Sequence, residues 1–170
     1  MNVTNVGSVR THDRQPRFPA ELVESNSFLL KRLGFRAKEH AMSAYEAAGF
    51  SPYHHAVLVA LAEGSHEMQG AIADALGYDR GQMVGLLDEL EERGFVRRRR
   101  DPDDRRRQLV SITPEGKRAL AKLRTLSEQL DAELLSPLDE KERAQLHGLL
   151  LRLAQHHLPA CGSADSGEPT

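Results

Sequence analysis

Residues 94–113, GFVRRRRDPDDRRRQLVSIT, set seven arginines and three aspartates between a glycine and a Thr-Pro pair. No other stretch narrows the fold as much. QLVSI at 108–112 alternates apolar and polar side chains with the period of a half-buried strand. DPDD at 101–104 is a turn former: proline presets φ, and aspartate side chains bond nearby backbone. Thr113-Pro114 is a helix start, a cap followed by a proline whose missing N–H costs nothing there. The stretch is therefore read as two strands, about 95–100 and 107–112, joined by a charged tip and leading into a helix. A disordered basic tag, the competing reading, would need neither the aspartates nor the alternation.

The rest of the chain is punctuated as helices. Leu22, Leu29, Leu33, Ala37, Ala41, Ala44 and Ala48 recur at helical spacing, which predicts one helix over roughly 21–48 with Gly49 as its stop. Ser51-Pro52 starts a second helix, ending near Gly64. A third, after Ser65, carries Met68, Ile72, Ala75 and Leu76 inward and stops at Gly77. Asp79 starts a fourth, with Gln82 three residues on, as in a capping box. Its inward set is Met83, Leu86, Leu87 and Leu90, and Gly94 ends it. After the hairpin, a helix to about Leu135 carries Leu120, Leu123, Leu126, Leu130 and Leu134 in one stripe. Asp139 and Glu142 predict a capping box for the last helix, whose stripe is Leu146, Leu149, Leu150 and Leu153.

Aromatics are 5% of residues and Trp is absent, so the core must rest on Leu, Ala and Val, which suits helices. The fold expected is mainly α with a small β-hairpin wing. Two helices about a tight Gly-Tyr-Asp turn (77–79) followed by a charged hairpin make a winged helix-turn-helix. The outer helices carry more leucine and alanine than one small lobe needs, which suggests burial against a second copy. Net charge is −2, yet residues 93–107 hold eight arginines against three aspartates, a local +5. Such clustering marks a nucleic-acid binder more than net charge does.

Four segments resemble the MarR (multiple antibiotic resistance) family of bacterial transcription regulators. They are FSPYHHAVLVAL (50–61), MQGAIADALGYDRGQMVGLLDELEERGFVRR (68–98), DPDDRRRQLVSITPEG (101–116) and LDEKERAQLHGLLLRL (138–153), and the likeness spans about 21–157. The resemblance implies a homodimer that binds pseudo-palindromic operator DNA as a repressor and is released by a small aromatic ligand. Residues 1–20, polar and without periodicity, read as a flexible arm, and the resemblance implies a dimerisation helix over 21–50 and a DNA-binding lobe over 51–113. Within that lobe the recognition helix falls at about 79–93 and the wing at about 95–112. Dimerisation helices over 114–158 and a disordered tail over 159–170 complete the chain. A winged-helix module that binds an acidic protein through the arginine hairpin is the alternative function.

On the recognition helix, Arg80 can reach guanine or phosphate, Gln82 can pair with adenine, and Val84 can touch a thymine methyl. Many family members carry Ser/Thr and Arg where this chain has Val84 and Gly85. Gly85 marks either close approach of the helix to DNA or a tolerant position. In the wing, Arg97, Arg98, Arg99, Arg100 and Arg107 suit phosphates, while Arg105 and Arg106 at the tip suit the minor groove. The resemblance carries a wing-shaping salt bridge onto Asp104 and Arg106. It also places an effector cleft among helices that bear Arg36, His40, Tyr53, His54 and His55, which serve either as ligand contacts or as surface and packing residues.

No metal or other cofactor is expected. His40, His54, His55 and His66 lack the tight spacing of a zinc site. Nor is an enzyme expected: the chain has no phosphate-cradling glycine loop, no HExxH, and no sign of a triad beyond adjacent letters in GSHEM. Cys161, the single cysteine, permits no intrachain disulfide and sits in the tail, away from where a peroxide-sensing thiol would be. No secretory h-region or membrane-length apolar run occurs, so the expected location is the cytoplasm, at the nucleoid when DNA is bound.

Overall fold

The computed structural model describes residues 17–63, 68–104 and 107–158. The elements run α1 (Ala20–Val23), α2 (Asn26–Ala47), α3 (Pro52–Ala62), α4 (Gln69–Leu76), α5 (Arg80–Glu92), β1 (Val96–Arg100), β2 (Gln108–Ile112), α6 (Pro114–Leu134) and α7 (Glu140–His157). None of these helices is long and apolar enough to cross a membrane. The chain divides into two compact units, Met1–Ala37 and Lys38–Thr170.

The helix starts follow the capping residues. Ser51 Oγ accepts the His54 N–H at 3.2 Å, and His54 Nδ1 accepts the Ser51 N–H at 3.1 Å. An imidazole thus takes the place that Glu or Gln fills in a capping box. Asp79 accepts the Gln82 N–H at 2.9 Å and starts α5. Asp139 and Glu142 form the expected reciprocal box at the start of α7. Gly77 ends α4 in the left-handed region, φ 66°, where a Cβ would be strained.

Three sequence expectations change. The helix expected over 21–48 is two helices, α1 and α2, because Ser25 restarts the chain: its hydroxyl accepts the Phe28 N–H at 3.4 Å and its carbonyl the Leu29 N–H at 3.0 Å. A serine that can cap competes with helix continuation. Met68 does not ride inside the third helix. Its backbone is extended, it precedes α4, and it pairs with Leu109 through a single antiparallel bridge on the outer edge of β2. Along that helix Ala73, rather than Ala75, is buried with Ile72.

The core of the second unit gathers Val57 and Leu58 of α3, the inward face of α5, Val96 and Val110 of the hairpin, and Leu120 and Leu123 of α6. Burial then fades along the α6 stripe: Leu126 and Leu130 are partly buried and Leu134 is exposed. Helix α7 buries none of its residues. Within the first unit, Phe18 meets Phe28 edge-on, and the Arg32 guanidinium lies 5.0 Å from the Phe18 ring centre.

Candidate nucleic-acid interface

The α4–turn–α5 pair is set by alternation of burial. Met83, Leu87 and Leu90 are fully buried, and Leu86 nearly so. That leaves Arg80, Gly81, Gln82, Val84, Gly85 and Asp88 exposed on the opposite face of α5. These are the positions that the apolar spacing assigns outward. Helix α5 therefore presents a short surface of one cation, one amide, one valine, one carboxylate and two glycines.

The wing is a two-stranded antiparallel hairpin with Val96 opposite Ile112, Arg98 opposite Val110 and Arg100 opposite Gln108. Val96 and Val110 are buried and anchor it. Its root is tied to α6 through Thr113, whose hydroxyl donates to the Gly94 carbonyl at 2.7 Å and accepts the Gly116 N–H at 3.0 Å. Its tip is folded by its aspartates. Asp101 accepts the Asp103 N–H at 2.9 Å, the Asp104 carbonyl accepts the Arg107 N–H at 2.8 Å, and the Asp104 carboxylate meets Arg107 Nε at 3.2 Å. Arg105 and Arg106 lie outside the described residues, so the wing bridge expected between Asp104 and Arg106 does too.

The four arginines of β1 do not share one environment. Arg97, Arg99 and Arg100 are exposed. Arg98 is half-buried and bonded to α5: its Nη2 contacts Asp88 at 2.5 Å and its Nε contacts Glu91 at 2.7 Å. The other Glu91 oxygen accepts the Arg98 backbone N–H at 2.8 Å. These bonds, the backbone one first, hold the Glu91 carboxyl below the usual carboxylate range. Between the starts of α4 and α5 and the tip end of β2 lies an open cleft of about 610 Å³, lined in part by Met68, Gln69, Gly70, Arg80, Arg107 and Gln108.

The effector candidates have separate partners. His40 lies 3.5 Å from Glu133. Tyr53 packs edge-on against Tyr78. His54 is buried, with Nε2 at 2.9 Å from the Glu89 carboxylate but off the line of a good hydrogen bond. Because its Nδ1 accepts the Ser51 N–H, the proton of neutral His54 belongs on Nε2, facing Glu89. Burial pushes the His54 pKa down, against the pull of Glu89. Arg36 belongs to the first unit, Met1–Ala37. The His66 ring and Cys161 lie outside the described residues.

Two clusters were not anticipated. Tyr45, buried, bonds through its hydroxyl to His55 Nδ1 at 2.6 Å. Burial raises the phenol's pKa and lowers that of His55, whose Nε2 is buried without a hydrogen-bond partner among the described residues. Arg93 caps α5, donates to the Gly49 carbonyl at 2.7 Å and lies over the Phe50 ring, 4.2 Å from its centre, and near Phe95. It joins the end of α2 to the end of α5. The signal available for it in the sequence was Gly-Phe at 49–50 and again at 94–95.

Residues 48–107 match the family model described as the MarR family. Over 142 residues, 79% of this chain and 84% of the relative, the sequence is 32% identical to a putative transcriptional regulatory protein for the hcr operon of Thauera aromatica. The chain belongs to the MarR family. Among solved structures similar to it, CouR bound to a 23-mer DNA duplex is 30% identical, with 82% of this chain and 99% of that chain covered and a TM-score of 0.73. CouR from Rhodococcus jostii RHA1 bound to p-coumaroyl-CoA is 31% identical, covering 80% and 96% at a TM-score of 0.66. A probable transcriptional regulator from Pseudomonas aeruginosa is 31% identical, covering 78% and 98% at 0.68. The winged helix-turn-helix fold and the resemblance read from the sequence are thus established, and the chain is a DNA-binding transcription regulator of MarR type.

Proposed function

We propose that this MarR-family chain is a homodimeric repressor of a pseudo-palindromic operator, released by an aromatic carboxylate or its coenzyme A thioester. The observation that carries the reading is the exposed face of α5 beside a wing strand that presents Arg97, Arg99 and Arg100. Arg80, Gln82 and Val84 read the major groove. Arg97, Arg99, Arg107 and the tip pair Arg105 and Arg106 engage phosphates and the minor groove.

The likeness to duplex-bound CouR supports the DNA partner, and the likeness to p-coumaroyl-CoA-bound CouR supports the effector class. The dimer is supported by α7, where Leu149, Leu150, Leu151 and Leu153 are each more than 40% exposed. A helix with that much bare leucine needs a second surface, and a second copy supplies a self-complementary one. Within the second unit the effector candidates retained are His40, Tyr53, His54 and His55, with Tyr45, bonded to His55, added to them.

The test is selection of duplexes from genomic fragments, followed by titration of salt and of paired aromatic acids and thioesters. The expected result is preference for two half-sites about one helical turn apart, steep loss with salt, and release by one member of the panel. Binding that shows no preference over random duplex sinks the reading. Gln82→Ala should relax sequence preference more than total affinity, and Leu150→Glu should convert the dimer to monomer in sedimentation.

A further inference from the structure

We propose that Arg98 is a positioning residue that locks the wing to the recognition helix and so fixes the spacing at which the two read an operator. The inference deepens the proposed function and rests on its DNA reading.

The geometry is specific to this one arginine. Arg98 side-chain exposure is 21%, against 57% for Arg107 in the same hairpin. Asp88 and Glu91 stand three residues apart on α5, hence on one face, and the guanidinium uses separate nitrogens on the two carboxylates. The backbone takes part as well. Thr113 N–H bonds the Phe95 carbonyl and Asp101 N–H the Arg107 carbonyl, so the cross-strand bonded positions of β1 are the odd-numbered ones. The Arg98 N–H therefore points out of the hairpin's edge, where Glu91 accepts it. One carboxylate thus caps the strand edge and grips the side chain, and Asp88 holds the far end of the fork.

Two consequences follow for recognition. The orientation of the hairpin relative to α5 is set by three polar bonds at mid-strand, in addition to the apolar anchor at Val96 and Val110. And Asp88, which stands on the exposed face of α5, has its charge offset by Arg98 instead of facing phosphates unopposed.

The test compares the full-length wild type with Arg98→Lys and with Asp88→Asn/Glu91→Gln. Each is assayed on the duplex that the wild type selects and on random duplex, with hydroxyl-radical footprinting. The double variant removes two negative charges beside the DNA and leaves Arg98 in place. If Arg98 were a phosphate contact, every duplex would be bound more tightly and the preference kept. As a clamp, its release lowers the ratio of selected to random affinity at least fivefold and blurs the wing's minor-groove protection relative to that of α5. Arg98→Lys keeps the charge but not the fork and gives the same blurring. A smaller loss of ratio in the double variant, or a wild-type footprint from the lysine variant, overturns the clamp. A wild type that prefers no duplex overturns the DNA reading and the clamp with it.

Discussion

Replacing Gly116 by alanine tests how the wing root is built. In a helix interior the added methyl normally gains about 1 kcal/mol. At Gly116 the sign reverses. A Cβ there would fall on the Phe95 carbonyl oxygen, with Ile112 Cγ1 only 2.8 Å away. That oxygen is backbone and cannot rotate aside. It already accepts the Thr113 N–H at 3.0 Å and lies 3.1 Å from the Thr113 hydroxyl. Relief requires moving the start of α6 off the wing root. Overpacking of this kind costs about 1–3 kcal/mol. Loosening the two Thr113 bonds costs about 1 kcal/mol each. After the helix-propensity gain is returned, the net loss is about 2–4 kcal/mol. Gly85→Ala is the internal reference, because a Cβ there meets nothing within 4 Å and only the propensity gain remains. Urea unfolding followed by circular dichroism measures both, at one fixed protein concentration, since any self-association would make stability concentration-dependent. The two variants should shift in opposite directions. A Gly116→Ala midpoint at or above that of wild type would refute the steric account.

Two further outcomes concern stability. Burial lowers the pKa of both His54 and His55, so the unfolded chain takes up protons first and stability falls as pH drops below about 6.5, recovering above it. Glu91, held below 4.5, adds its loss only at lower pH. Urea midpoints at pH 7.5, 6.5 and 5.5 should show the histidine slope, reduced in His55→Gln; a flat profile for the wild type rules it out. Arg93→Met removes the bond to the Gly49 carbonyl and the cation over Phe50, and should cost about 1–2 kcal/mol. An unchanged unfolding midpoint would show that this exposed arginine contributes nothing to the joint.

What could be read from the chain depended on how local its cause was. Caps and stops are set within four residues, so Ser51-Pro52, Gly77, Asp79, Thr113-Pro114 and the Asp139–Glu142 box were legible. The inward face of α5 was legible for the same reason. Arg98 was not distinguishable within RRRR, because its partners come from another element. The available clue was period: residues 96, 98 and 100 share one face of β1, and Asp88 and Glu91 share one face of α5. Tyr53, His54 and His55 show the same principle in reverse. Consecutive helical residues point about 100° apart, so these three reach Tyr78, Glu89 and Tyr45 respectively. The break at Ser25 is not legible in the sequence because the apolar spacing runs on through it.

Gly85 offers a sharper test of what α5 does. No protein atom lies within 4 Å of where its Cβ would be, and its φ is not in the left-handed region, so nothing in the fold requires glycine there. The helix gives up about 1 kcal/mol by carrying it. Gly81 stands one turn earlier on the same exposed face, leaving a strip of bare backbone between Gln82, Val84 and Asp88. If that strip lets the helix axis sit deeper in the major groove, a methyl at 85 pushes it outward, and the contacts of Gln82 and Val84 lengthen together. Gly85→Ala should then fold more stably yet bind the selected duplex about tenfold more weakly, equivalent to about 1.4 kcal/mol, with random-duplex affinity little changed. A variant that gains stability and keeps its selectivity would mean that the helix reads DNA at ordinary depth. Position 85 would then be only a tolerant site, and sequence discrimination would fall more heavily on the wing.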